Sequence, residues 1–115
     1  MVQISALGAQ TIGPTSGGKV TPFNNISTSP QQVIGPNSQR ANIVFDNPGT
    51  VDVFVAPILQ ANGLALTVST SLLGGTYIIF ANGGSRSLSG EVQGGYQAFS
   101  RSGSGNFLTV TESNL

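Results

Sequence analysis

The segment Gln39-Arg40-Ala41-Asn42-Ile43-Val44-Phe45-Asp46-Asn47-Pro48-Gly49-Thr50-Val51-Asp52-Val53-Phe54-Val55 reads as two β-strands joined at Asn47-Pro48-Gly49. β-Branched and aromatic residues run up to Phe45 and resume at Val51; between them Pro presets one φ and Gly permits a positive one. A hairpin is the simplest reading. Because strand side chains alternate, Ala41, Ile43 and Phe45 share one face and Val51, Val53 and Val55 another. The faces coincide if Phe45 pairs with Val51 and Ile43 with Val53, a register that also keeps Asp46 from lying opposite Asp52. The reverse face carries Val44 and Phe54 among polar residues, and these two call for a cover from a strand, the N-terminal segment or a neighbouring molecule.

At 115 residues the chain has the size of one domain with a single core. Only 7% of residues are charged, four basic and four acidic, against about 25% in ordinary soluble domains. The surface must therefore be Ser, Thr, Asn, Gln and Gly. Lys19, Arg40, Arg86 and Arg101 are scattered, which leaves no basic footprint for nucleic acid or anionic lipid as a partner. With one Lys to guard exposed sheet edges, those edges are expected to be covered by loops or occupied by other chains. Cys and His are absent, which removes disulfides, thiol chemistry and His or Cys metal sites. Met1 is followed by neither a basic leader nor an apolar run of membrane-spanning length, so synthesis in the cytoplasm is expected.

Glycines and prolines interrupt residues 1–29, yet Val2, Ile4, Leu7, Phe23 and Ile26 are too apolar for a solvated tail. This segment is expected to be an extended N-terminal arm with one or two strand pieces, docked on its own domain or a neighbour. Residues 30–115 are then the compact domain. Gln31 to Ile34 reads as a short strand and Pro57 ends the strand after the hairpin. Residues 58–73 are ambiguous; Asn62-Gly63 is a turn signal and strand is favoured over a short helix. Thr76 to Ala81 is a near-continuous apolar run expected to be a central strand, and strands follow at Tyr96 to Arg101 and Asn106 to Glu112. Short strands with frequent turn signals predict an all-β, antiparallel β-sandwich of jelly-roll-like form.

Reactive chemistry is sparse. Gly13-Pro14-Thr15-Ser16-Gly17-Gly18-Lys19-Val20 mimics a phosphate loop, but Val20 stands where the magnesium-binding hydroxyl belongs and Pro22 breaks the helix it needs. Asp46 and Asp52 flank the turn and are the one conceivable carboxylate pair, with no basic or nucleophilic helper nearby. No catalytic, metal or cofactor residues are assigned, and no enzyme activity is expected. Tyr77 and Tyr96 are candidates for a sugar-stacking platform.

The run Gln32-Val33-Ile34, Asn37, Arg40, Ile43 to Gly49 and Val53-Phe54-Val55 resembles the opening hairpin of small β-sandwich structural proteins of tailed bacteriophages. Gly95 to Ser100, the Ser-Gly turn after it and Leu108 to Glu112 fit the same pattern, over roughly residues 31–112. In size and character the chain resembles the head-decoration, or cement, proteins of short-tailed phages. That resemblance implies a jelly-roll-like domain on the capsid exterior, a dimer or trimer that bridges neighbouring major capsid subunits. It also implies that Arg40 and Glu112 tie the first and last strands together. The expected interface comprises Val2, Ile4, Leu7, Phe23, Ile26, Val44 and Phe54. Rival expectations are a receptor- or glycan-binding tail module and an accessory hydrolase built on Asp46 and Asp52.

Overall fold

Runs of three to nine residues, most of them carrying β-branched or aromatic side chains, fold as eight strands in the computed structural model, which describes residues 18–90 and 92–114. They are β1 (Lys19–Ile26), β2 (Gln31–Ile34), β3 (Arg40–Asn47), β4 (Val53–Pro57), β5 (Tyr77–Ile79), β6 (Gly84–Ser89), β7 (Tyr96–Ser100) and β8 (Asn106–Asn114). Two antiparallel four-stranded sheets pack face to face: sheet 1 in the order β1-β8-β3-β6 and sheet 2 in the order β2-β7-β4-β5. The pairs β1–β8, β2–β7, β3–β6 and β4–β5 are successive rungs of one antiparallel ribbon rolled across both sheets. This is the strand order of a jelly roll.

The expected hairpin between Ile43 and Val53 does not form. β3 pairs with β6 and β8, and β4 pairs with β5 and β7, so the Asn47-Pro48-Gly49 turn is a corner that carries the chain from sheet 1 to sheet 2. Asn47 holds the corner from within: its buried amide donates to the carbonyls of Val51 (2.8 Å) and Ile79 (2.9 Å), and its Oδ1 accepts from Gly49 N–H (2.9 Å). The alternation argument stands but its geometry changes. Ile43, Phe45, Val53 and Val55 all face inward, meeting across the space between the sheets rather than side by side in one. With Ile26, Val33, Ile79, Tyr96, Ala98, Leu108 and Val110 they form the main core.

Residues 1–17 lie outside the described residues, and with them the expectations for Val2, Ile4 and Leu7. From Lys19 onward the expected arm is part of the sandwich: β1 pairs with β8 from Lys19 opposite Glu112 to Ile26 opposite Asn106, and Ile26 is fully buried. The described part of the expected arm is thus a strand piece docked on its own domain. Thr76 to Ala81 is also placed differently, since β5 is a three-residue edge strand of sheet 2 rather than a central one.

β4 is buried on both faces from Val53 to Ala56. The inner face meets sheet 1. The outer face, Phe54 and Ala56, together with Phe99 of β7, is covered by residues 58–76, whose Val68 is buried there and whose Leu66 packs alongside. Phe54 and Phe99 lie 5.2 Å apart, centroid to centroid. The segment is neither helix nor regular strand; it is a loop with two isolated bridges, Leu59 to Ala65 around the Asn62-Gly63 turn and Ser69 to Leu72. Gln97 pins it by donating to the carbonyls of Pro57 (3.1 Å) and Leu66 (3.0 Å). The cover demanded by Phe54 is thus the chain's own loop. Phe54→Ala is expected to lower unfolding free energy in urea by about 3 to 5 kcal/mol, whereas Val44→Thr, on the open face of sheet 1, should change it by less than about 1 kcal/mol.

Candidate interaction surface

The ionised groups decide whether the fold holds reactive chemistry. By alternation Arg40 should share the outward face of Asn42 and Val44, but an irregularity in the β3–β8 register between Arg40 and Asn42 turns it inward, where it is 1% exposed. Its guanidinium donates from Nε to Glu112 Oε1 (2.9 Å), from Nη1 to the carbonyls of Val92 and Gly94 (both 2.8 Å), and from Nη2 to that of Gly35 (2.5 Å). One side chain thus joins β3, β8, the β2–β3 turn and the segment before β7. Asn37 adds a bond to the same Glu112 oxygen (3.2 Å). Arg40 and Glu112 are bonded to each other as the resemblance implies, but the tie joins β3 to the last strand, β8, its neighbour in sheet 1, and not the first strand to the last. Burial pushes the Glu112 carboxyl up, but the bonds from Arg40 and Asn37 and the charges of Arg40 and Lys19 together hold it below its ordinary 4.5.

Lys19, Thr21, Val33, Ile34, Arg40 and Glu112 line an open cleft of about 440 Å³. Arg40 and Glu112 at its base are bonded to each other and to protein groups, so they hold the fold rather than a ligand. The two aspartates that flank the corner have separate tasks. Asp46 sits on the outer face of β3 between Ser85 and Thr109. Asp52 Oδ1 accepts from Ala81 N–H (2.9 Å), and its Oδ2 lies 3.6 Å from Arg101. Arg101 stands 5.4 Å from the Phe54 ring centroid, and Arg86 lies 4.7 Å from that of Tyr77, bridging the edges of the two sheets. Among the described residues no group of three or more His, Cys, Asp or Glu could hold a metal ion. Where the Gly13 to Val20 string would need a helix, Lys19–Ile26 is a strand.

Exposed apolar side chains form the other candidate. The loop 58–76 turns Val68 and Leu66 inward onto Phe54 and leaves Leu59, Leu64, Leu72 and Leu73 outward, with Leu64 63% exposed. Ile78, on the outer face of the β5 edge beside Phe54, and Phe80 just beyond it extend the list, Phe80 being 62% exposed. A second open cleft, about 410 Å³, borders this loop and is walled by Pro36, Pro57, Leu59, Ala61 and Tyr96. Single exposed leucines are unremarkable on a protein surface, but here they recur along one short loop and the adjoining sheet edge.

The sequence-predicted interface fares unevenly. Ile26 and Phe54 are core residues with 0% and 1% exposure and present no surface. Phe23 is half-buried against the core, opposite Leu108, and Val44 is half-buried on the open face of sheet 1. Tyr96 is buried against Phe45, with burial, then Tyr77, pushing its hydroxyl up against the pull of Arg40, so it offers no stacking platform. The leucines of residues 58–76 were not among the expected contacts; their sequence signal is Leu recurring in a Gly-, Ser- and Thr-rich stretch without a consistent period. No protein-family model, curated protein or solved structure matches this chain.

The Arg40–Glu112 pair makes stability fall in acid. A carboxyl held below its ordinary value contributes stability that is complete above 4.5 and lost as pH falls through the lower folded value. Glu112→Gln should remove that acid-range loss and cost about 3 kcal/mol at neutral pH, because Arg40 stays charged and buried. Arg101→Gln, which breaks the exposed pair with Asp52, should cost no more than about 1 kcal/mol; urea titrations across pH 2 to 7, roughly the span of carboxylate ionisation, check both.

Proposed function

We propose that the protein is a non-enzymatic structural component of a phage virion, a decoration or cement protein that binds the outside of the head and bridges neighbouring major capsid subunits. The observation that carries this reading is the outward exposure of four leucines on residues 58–76, and of Ile78 and Phe80 on the adjoining sheet edge, on a chain whose ionised side chains number only eight. The resemblance of residues 31–112 to such proteins points the same way.

The mechanism is additive binding. Packaged DNA loads the shell outward, and a molecule bound across two subunits adds its binding free energy to whatever must be overcome to separate them. Full burial of one leucine from full exposure is worth about 1.5 to 3 kcal/mol; the four are already about half covered, so burying the remainder gives about 3 to 6 kcal/mol, at the low end of the roughly 4 to 15 kcal/mol lost on association. A single copy would bind weakly. A dimer or trimer placing two or three such surfaces on one shell gains by effective concentration, which favours a homo-oligomer. The site of action is the capsid exterior after synthesis in the host cytoplasm, with no role for nucleic acid, membrane or cofactor.

A receptor- or glycan-binding tail module is the second reading. It is favoured by Phe80 and Phe107, both exposed at the corner end, where Phe107 lies against Gly49 and Asn82 N–H bonds the Gly49 carbonyl. Glycan-array binding that disappears in Phe80→Ala would support it over the first.

The test adds purified chain to particles that lack it and measures occupancy after sedimentation. Leu64→Asp with Leu72→Asp should lower occupancy at least about tenfold, since each carboxylate must be desolvated against the shell, with an unchanged urea midpoint; full occupancy would remove this surface from the mechanism. Deletion of residues 1–17, which spares β1, asks the same of the N-terminal segment, and unchanged occupancy would remove it as well.

A further inference from the structure

The tripeptide Ala-Asn-Gly occurs twice, at residues 61–63 and 81–83. Identical local sequence gives both asparagines the same intrinsic tendency to lose ammonia, because a following glycine puts no side chain in the way of its own backbone nitrogen. That nitrogen attacks the asparagine Cγ, its proton leaves to solvent, ammonia departs and a five-membered imide closes. Water then opens the imide at either carbonyl to give aspartate or isoaspartate. The reaction needs the glycine N–H released from its hydrogen bond and the backbone free to swing.

The structure treats the two copies oppositely. At the corner, Asn82 holds a positive φ of 64°, its N–H donates to the Gly49 carbonyl (2.7 Å), and Gly83 N–H donates to that of Asn47 (2.7 Å), whose side chain is itself fully buried. Gly84 follows so close to the Phe80 backbone that a Cβ there would collide with its carbonyl oxygen. Reaction at Asn82 requires the corner between the sheets to open. Asn62 is exposed at the tip of the Leu59 to Ala65 turn. Gly63 N–H is bonded only within that turn, to Gln60 (2.9 Å), and nothing lies within 4 Å of its Cβ position. Fraying of that tip breaks a few exposed bonds and no core contact.

We propose that Asn62 is a site of spontaneous deamidation in the folded protein and that Asn82 is shielded from it by the corner. The product carries one new carboxylate and takes the formal charge from zero to minus one. Resting on the reading of the leucine surface as a contact, the new charge lies between Leu59 and Leu64 and weakens binding to the shell as the chain ages.

The two halves separate experimentally. Trypsin leaves Asn62 and Asn82 in one peptide, residues 41–86, so fragment mass spectra of the full chain incubated at mildly alkaline pH compare them within the same molecule. Native chain should convert Asn62 at least about tenfold faster than Asn82, while chain held in urea converts both at similar rates. Equal native rates, faster loss at Asn82, or an inert Asn62 in native chain that reacts in urea would overturn the proposal. Gly63→Ala should slow conversion at residue 62 alone. Shell occupancy of Asn62→Asp then reads the consequence: a loss supports it, and full occupancy with deamidation intact overturns the consequence while leaving the modification site.

Discussion

Burial of β4 on both faces is the constraint from which the rest of the structure follows. A sheet whose inner side chains are Val53 and Val55 and whose outer ones are Phe54 and Ala56 cannot leave its second face to water. Sheet 1 covers the first face. The second must be covered by something the chain itself supplies, and residues 58–76 are that cover, drawn down by Val68 and Leu66 and pinned by Gln97. Because only part of the loop can face Phe54 and Phe99, its remaining leucines face outward. The apolar surface is thus a geometric consequence of how sheet 2 is closed.

Two polar devices make that closure possible. Asn47 fixes the corner through which β3 leaves sheet 1 and β4 enters sheet 2, and it also ties in the end of β5 through the Ile79 carbonyl. Arg40 works at the opposite end, where its donors gather carbonyls from Gly35, Val92 and Gly94 around the bond to Glu112. A buried guanidinium is tolerable only when its donors are satisfied by fixed acceptors. These contacts order the turns that close the sandwich, which has no helix among the described residues. The few ionised residues are mostly committed to the fold: Arg86 sits over Tyr77 between the sheet edges, Arg101 lies beside the Phe54 ring of β4, and Asp52 bonds the Ala81 amide.

Fold class was legible in the sequence because it depends on strand length and turn frequency, both of which are local. Pairing was not. Ile43, Phe45, Val53 and Val55 face one core whether their strands lie side by side or across from each other, so alternation cannot distinguish a hairpin from a corner. The run from Thr76 to Ala81 looked central because it is apolar throughout, yet only Tyr77 and Ile79 point inward while Ile78 and Phe80 meet solvent. The contact surface was harder still. Apolar residues without an evident partner in nearby sequence read as contacts, but Phe54 and Ile26 have partners far along the chain. The leucines of residues 58–76 sit in a loop with no period to mark one face, and their exposure depends on which neighbours Phe54 takes.

The most direct test of the account is a reconstruction of decorated particles at side-chain resolution, read for which face of the sandwich meets the shell. Leu59, Leu64, Leu72 and Leu73 with the β5 edge buried against two adjacent capsid subunits is the predicted result. The same leucines facing solvent, with the shell held by the open face of sheet 1 or no decoration at all, would contradict it.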